Sequence, residues 1–116
     1  MGEKLIHNYL QDILLHISEI EQVQNDAKDI NGFNTNFYFK RTSERNFLII
    51  GEILKKITTL KPEVVIQIRN RENIIGLRNF LAHAYDTVDS EQMWLFIVKR
   101  VPELKEDINK LLIKLE

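Results

Sequence analysis

The 116-residue sequence contains no cysteine, two prolines, four glycines and a single tryptophan. The absence of cysteine excludes disulfides, thiolate metal sites, iron–sulfur clusters and a cysteine nucleophile, and it fits a reducing, cytoplasmic location. No apolar run approaches the ~20 residues that span a bilayer, so neither export nor membrane insertion is expected. Gly-rich phosphate loops and Gly-x-Ser-x-Gly elbows are also missing, which leaves nucleotide hydrolysis and serine hydrolase chemistry without support.

The composition is that of an ordinary globular protein, with 44% apolar and 28% charged residues, and its length predicts one domain over residues 1–116. The net charge of -1 conceals an uneven distribution. Residues 40–78 carry nine Lys and Arg against four acids, a local excess of five positive charges, whereas both flanking thirds are acidic. Such a zone favours a phosphate-bearing ligand, although basic zones are more often solvated helix faces.

Apolar residues recur at steps of three and four along the first half of the chain, which is the spacing of amphipathic helices. The first stripe predicts a helix over about residues 3–27 and consists of Ile6, Leu10, Ile13, Ile17 and Ile20. The second predicts a long helix over about residues 36–60 and includes Phe47, Ile50, Leu54 and Ile57. Between them, Asn31 and Gly32 tolerate positive φ and predict the turn, with Asn34 or Thr35 as the next cap.

The second half of the chain is also predicted to be helical. Pro62 suits a first helical turn and predicts a short helix over residues 63–68. A fourth helix over about 72–86 follows from the spacing of Ile74, Leu77, Leu81, Ala84 and Val88. Asp89 and Gln92 predict a capping box that starts a last helix, and Pro102 predicts a kink near residues 98–102. The apolar seam of that helix comprises Trp94, Ile97, Val101, Leu104, Ile108, Leu111 and Leu115. The predicted fold is an all-α, up-and-down bundle of four to five helices.

Five polar residues that suit phosphate chemistry lie within nine positions of the predicted fourth helix: Arg78, Asn79, His83, Tyr85 and Asp86. They offer a cation, amide donors, a titrating base and a phenol. No metal site is predicted, since His83 has neither a second His nor a paired carboxylate at ligand spacing. His7 and His16 fall on the first helix and are interpreted as structural or surface residues. The alternative is that the run is only a solvated helix face.

Helical geometry divides this run into two faces. Asn79, His83 and Asp86 form a polar stripe opposite the apolar seam, whereas Arg78 and Tyr85 lie on the flank of the seam. Arg78 and His83 are about 140° apart around the helix axis. They do not converge easily on one small group, so the spacing indicates a composite site.

Arg78, His83 and Tyr85 together match the pattern Arg-x4-His-x-Tyr, which resembles the signature of HEPN-domain toxins of the HepT-like family. Three further segments are similar to the pattern of that family: Ile50-Gly51-Glu52, Ile74-Ile75-Gly76-Leu77-Arg78-Asn79, and Val88-Asp89 with Trp94. The resemblance implies a HEPN-like helical homodimer that acts as an RNase with neither metal nor other cofactor. It also implies a toxin–antitoxin pair with an MNT-type nucleotidyltransferase antitoxin.

The resemblance also assigns roles to the residues of the motif. Arg78 and His83 would be the catalytic pair, Asn79 would help to place the phosphate, and Tyr85 would accept AMP from the antitoxin. Helical spacing, rather than the resemblance, adds Asp86 as a supporting polar residue on the stripe of Asn79 and His83. The reaction would use the 2′-OH of RNA as nucleophile and produce a 2′,3′-cyclic phosphate, with the basic middle segment holding the strand. A dimer would let Arg78 of one subunit complement His83 of the other, in agreement with the angle between them.

Two other functions are compatible with the same residues. One is a non-catalytic helical binding module that positions a nucleotide or docks a nucleotidyltransferase, because helical bundles occur both as enzymes and as binding proteins. The other is a purely structural role.

Overall fold

The structure is a computed structural model that describes residues 2–83 and 89–115. These residues form helices and contain no strand, so the predicted all-α bundle is confirmed. The helices are α1 (Gly2–Ala27), α2 (Ile30–Thr35), α3 (Phe37–Leu60), α4 (Pro62–Val65), α5 (Arg71–His83), α6 (Ser90–Leu95) and α7 (Val101–Lys114), with a π-helical turn at Phe96–Arg100. None of the described helices is both long and apolar enough to cross a membrane.

One cluster of apolar side chains lines the inside of the bundle, and the predicted stripes supply much of it. Every side chain of the two stripes is at most 1% exposed. The α1 stripe is Ile6, Leu10, Ile13, Ile17 and Ile20, and the α3 stripe is Phe47, Ile50, Leu54 and Ile57. Helix α3 packs against both α1 and α5, while α1 also packs against α7. Because α3 is central, its side chains are available to position residues of α5.

The predicted turn at Asn31 and Gly32 is wrong, because both residues belong to the additional short helix α2. The chain instead reverses at Lys28, whose φ is 73°. Asp29 then caps α2 by accepting a hydrogen bond from the backbone N–H of Gly32 at 2.8 Å. A Cβ on Gly32 would clash with the carbonyl oxygen of Ala27, so this glycine permits a close approach of α2 to α1 rather than a positive φ.

The cap of α3 also differs from the prediction. Asn36 is the N-cap, and its side chain accepts a hydrogen bond from the backbone N–H of Tyr38 at 3.0 Å. The predicted candidates, Asn34 and Thr35, instead lie within α2. The predicted start near residue 36 is nevertheless within one residue of the observed start.

The predicted last helix begins after Asp89, and a π-helical turn interrupts it close to the predicted kink. Asp89 caps α6 by accepting hydrogen bonds from Glu91 N at 2.8 Å and Gln92 N at 3.3 Å. Pro102 stands in the first turn of α7, directly after the π-helical turn Phe96–Arg100. A proline interrupts the hydrogen bonding of a continuous α-helix, and the wider turn before it accommodates the missing N–H. The apolar seam continues through this change, with Ile97, Val101 and Leu104 buried.

A buried carboxylate fixes the segment that leads into α5. Asp107 on α7 is 6% exposed and accepts the backbone N–H of Arg69 at 2.8 Å and its Nε–H at 3.2 Å. The hydrogen bond to Asp107 raises the pKa of Arg69, and the charges of Asp107 and Glu106 act in the same direction. Asn70 follows with a φ of 58° and donates from its side chain to Glu103 at 3.1 Å. Helix α5 therefore starts at a point held by α7.

Candidate functional site

Helix α5 carries Arg78 and packs chiefly against α3. Ile74 is 1% exposed, and Leu77 and Leu81 are half-buried on the same side of the helix. This is the apolar face that the sequence predicts for residues 74–81. It presses the neighbouring residue, Arg78, toward α3.

Gly51 of α3 lies directly beneath Arg78. A Cβ built on Gly51 would lie 2.6 Å from Cγ of Arg78 and even closer to its Cβ. Real carbon atoms pack at about 3.5–4.0 Å, so only a glycine admits the arginine stem at this depth. The contact sets the height of Arg78 relative to α3.

The guanidinium of Arg78 is held by two side-chain oxygens. Its Nη2 donates to Oε1 of Glu52 at 3.4 Å, and its Nη1 donates to Oδ1 of Asn79 at 3.1 Å. The Nε–H is buried and has no hydrogen-bond partner among the residues that the structure describes. The side chain of Arg78 is 19% exposed, whereas that of Glu52 is 45% exposed. The stem of the arginine is thus enclosed, and the contacts with described residues leave further terminal N–H groups that a ligand could reach.

The structure brings together two of the predicted site residues, Arg78 and Asn79. Asn79 is exposed, in agreement with the predicted polar stripe. His83 is the last residue of α5, but its side chain lies outside the described residues, as do Tyr85 and Asp86 in full. The predicted convergence of Arg78 with His83 therefore stays a prediction.

Glu52 is the residue that sequence reasoning missed as part of this site. It stands 26 positions before Arg78, and no periodicity within α5 could reveal a contact with α3. A signal did exist, because Gly51 and Glu52 lie in the segment Ile50-Gly51-Glu52, which is similar to the family pattern.

One of the other histidines makes a structural contact. Nδ1 of His16 lies 2.8 Å from Oδ1 of Asn46, which is 2% exposed and also donates to the carbonyl of Thr42 at 2.8 Å. His16 therefore joins α1 to α3, as the structural interpretation predicts. Among the described residues, no group of three or more His, Asp or Glu side chains is placed to hold a metal ion.

The basic middle segment is partly committed to contacts within the fold. Arg69 pairs with Asp107 at 3.1 Å, and Arg71 donates to the carbonyl oxygens of Ile66 and Ile68 at 3.2 and 3.3 Å. Arg45, Lys55 and Lys56 of α3 are exposed. The excess positive charge thus has both structural and solvent-facing members.

Comparison with known proteins identifies the family. Residues 13–111 match the family model described as "Ribonuclease HepT-like". This match spans most of the chain and includes Gly51, Glu52, Arg78 and His83.

The chain belongs to the HepT-like ribonuclease family. Two proteins of Methanocaldococcus jannaschii, each carrying the provisional name of an RNase, are similar to this HepT-like chain along nearly its whole length. MJ0125 is 31% identical over 116 residues, which cover 100% of this chain and 98% of that protein. MJ1380 is 28% identical over 108 residues, which cover 93% of this chain and 97% of that protein. The resemblance stated from the motif is confirmed at the level of the family, and it supports an RNA-cleaving enzyme.

Proposed function

We propose that this HepT-like chain is a metal-independent endoribonuclease in which Arg78 stabilises the reacting phosphate and His83 transfers protons. One observation carries the proposal: Arg78 is anchored on α3 by its stem and by Glu52, while terminal N–H groups remain available. An arginine held in this way offers a preorganised positive charge, which is the largest single source of stabilisation in many phosphate reactions.

The proposed reaction uses the RNA as its own nucleophile. The 2′-oxygen loses its proton and attacks the adjacent phosphorus, while the bond to the 5′-oxygen breaks and that oxygen gains a proton. The products are a 2′,3′-cyclic phosphate and a 5′-OH. An imidazole with an ordinary pKa near 6.5 can take or give a proton near neutrality, which is typically worth about 10²–10⁴-fold in rate. Asn79, beside Arg78, would help to place the phosphate.

The complete site is proposed to need a homodimer. Arg78 and His83 are about 140° apart around α5, so two copies of the helix can complement each other where one copy does not. Exposed apolar side chains on the elements near the motif support association: Phe80 on α5 is 46% exposed and Leu95 on α6 is 53% exposed. A groove of about 360 Å³ between these elements is lined in part by Gly76, Leu77 and Phe96.

The proposed biological role is that of a toxin paired with a nucleotidyltransferase antitoxin. Transfer of AMP to the phenol of Tyr85 would add a phosphodiester charge and a bulky nucleoside close to the motif, in the path of the RNA. Asp86 would support the polar stripe that contains His83. This part of the proposal rests on the family pattern and on the presence of Tyr85 two residues after His83.

Cleavage in excess EDTA tests the enzyme proposal. Wild-type protein, His83→Ala, Arg78→Ala and the surface control Asp12→Ala would be incubated with RNA. We expect cyclic-phosphate ends from the wild type and from Asp12→Ala, and their loss in the other two variants. Equal cleavage by all four proteins would refute the catalytic assignment, and RNA binding without cleavage would favour the binding-module alternative.

Subunit complementation tests the composite site. Arg78→Ala and His83→Ala chains carrying different affinity tags would be co-expressed and the mixed dimers purified. If the site forms between subunits, each mixed dimer retains one of its two sites, built from the intact Arg78 of one chain and the intact His83 of the other. Because half of the dimers in an unselected mixture are mixed, that mixture should recover about a quarter of wild-type activity. Inactive mixed dimers would place both residues of each site in the same subunit.

Intact-mass analysis tests the modification. Co-expression with a nucleotidyltransferase encoded by the adjacent gene should add AMP increments to the wild-type chain, and these should vanish in Tyr85→Phe. An unchanged adduct in that variant would move the acceptor elsewhere.

A further inference from the structure

Glu52 on α3 lies beside Arg78 on α5. Glu52 is neither part of the Arg-x4-His-x-Tyr motif nor required by the apolar packing of α3, since it is 45% exposed. Its carboxylate nevertheless contacts Arg78 across two helices. We propose that Glu52 is a positioning residue that orients the Arg78 guanidinium for end-on contact with a phosphate; this inference rests on the proposed function of Arg78.

The stem of Arg78 is positioned by Gly51, independently of Glu52. Gly51 determines how deeply Cβ and Cγ of Arg78 enter the surface of α3. Glu52 is the next residue along α3 and therefore has a fixed position relative to that contact. The two neighbours divide the task, because Gly51 sets the depth of the arginine and Glu52 sets the rotation of its planar end.

The hydrogen-bond inventory then defines the edge that Arg78 presents. A guanidinium has five N–H donors: one on Nε and two on each terminal nitrogen. The Nε–H is buried, Nη1 bonds to Asn79 and Nη2 bonds to Glu52. A single hydrogen bond at each terminal nitrogen engages one of its two N–H groups, so the contacts with described residues leave one N–H on each. Two remaining donors on neighbouring nitrogens match the bidentate, end-on recognition of a phosphate by arginine.

Glu52 also has an unfavourable effect that makes the inference testable. Its negative charge repels a phosphate bound to Arg78. An uncharged hydrogen-bond acceptor at position 52 should therefore still orient the arginine but repel the phosphate less. Glutamine retains the side-chain oxygen of Glu52 and removes the charge, whereas alanine removes both. The two variants therefore separate orientation from electrostatics.

Steady-state RNA cleavage by Glu52→Ala, Glu52→Gln and the control Asp12→Ala tests the inference. Asp12→Ala removes the same charge from an exposed position of α1. A misplaced group can cost up to about 10²-fold in rate, so we expect kcat of Glu52→Ala to fall about 10- to 100-fold. Glu52→Gln should keep kcat within roughly threefold of the wild type and show a lower KM. A kcat for Glu52→Gln as low as that of Glu52→Ala, or an unchanged kcat in Glu52→Ala, would overturn the inference.

A double-variant comparison excludes a general structural effect. If Glu52 acts through Arg78, adding Glu52→Ala to Arg78→Ala should not reduce the residual activity further. The same loss in both backgrounds would overturn the positioning role. Thermal melting of Glu52→Ala should remain close to that of Asp12→Ala, because the Glu52 side chain is partly exposed.

An NMR measurement separates failure of this inference from failure of the proposed function. In protein labelled with ¹⁵N-arginine, the buried Nε–H of Arg78 is identified by its loss in Arg78→Ala. This signal should exchange slowly with water in the wild type and in Glu52→Gln, and at least tenfold faster in Glu52→Ala. Equal exchange in all three would overturn the positioning role even if RNA is cleaved. Slowed exchange that depends on Glu52, in a protein without cleavage activity, would support the positioning and refute the nuclease.

Discussion

The same substitution at two helical glycines should have opposite effects on this protein. Gly51 is buried in α3 against Arg78, whereas no atom of the described residues lies within 4 Å of a Cβ added to Gly76 in the middle of α5. Alanine favours a helix over glycine by about 1 kcal/mol at either position. A difference between Gly51→Ala and Gly76→Ala therefore reports the contact with Arg78, because the propensity gain cancels.

The size of that difference follows from the geometry. The new Cβ would stand 2.6 Å from Cγ of Arg78, so α3 and the arginine stem must separate by roughly 1 Å or more to restore carbon–carbon contact. Overpacking of this kind costs about 1–3 kcal/mol. Gly76→Ala should gain up to about 1 kcal/mol, and Gly51→Ala should lose up to about 2 kcal/mol after the propensity gain is included.

Urea unfolding and RNA cleavage measure the two consequences. The free energies of unfolding of the two variants should differ by about 1–3 kcal/mol, or by several degrees in Tm. Displacement of Arg78 should lower kcat of Gly51→Ala by about 10- to 100-fold. Equal stability of the two variants would refute the close contact, and normal cleavage by a destabilised Gly51→Ala would refute its importance for Arg78.

Three further predictions concern polar contacts that stabilise the fold. Asp107→Ala should lower the free energy of unfolding in urea by about 1–3 kcal/mol, because the backbone N–H of Arg69 loses its acceptor; wild-type stability would contradict this contact. Asp89→Ala should cost about 1 kcal/mol by the same assay, whereas Asp89→Asn retains the cap and should cost much less; equal losses would argue against capping. Hydrogen bonding and charge from Lys110 lower the pKa of Glu106 below its ordinary value of 4.5, so its contribution to stability is present above pH 4.5 and is lost as the pH falls through the lower folded value. Glu106→Gln should therefore reduce the acid dependence of Tm, and an unchanged profile would contradict this pairing.

The sequence predicts the long helices well because their burial is strongly periodic. Ile6 to Ile20 on α1 and Phe47 to Ile57 on α3 lie in the core as their spacing requires. The turn between these helices was mispredicted because residue preference and tertiary contact act differently there. Asn and Gly are the residues that most easily adopt positive φ, but Lys28 adopts it, while Gly32 is needed for its missing Cβ.

The candidate site was predictable only as far as one helix determines it. Spacing along α5 correctly placed Asn79 on the exposed face and Arg78 beside the apolar seam. The partners of Arg78 on α3 depend on the register between two helices, which periodicity within either helix does not specify. Gly51 and Glu52 could be found only through the family pattern, and the structure shows that both contact Arg78.

The contacts of Arg78 with Gly51 and Glu52 on α3 bear on how the motif can form a site. Arg78 is held by residues of its own chain, so its position does not depend on His83. Both residues lie on α5, so rotation of the whole helix cannot reduce the angle of about 140° between them, and such a rotation would break the contacts of Arg78 with Gly51 and Glu52. Under the proposed function, the histidine that transfers protons to a phosphate on Arg78 must therefore come from a helix other than the α5 that carries this Arg78. A second copy of α5, from a partner subunit, meets that requirement without disturbing the contacts of Arg78 with α3. The contacts within one subunit therefore favour a site that two subunits complete.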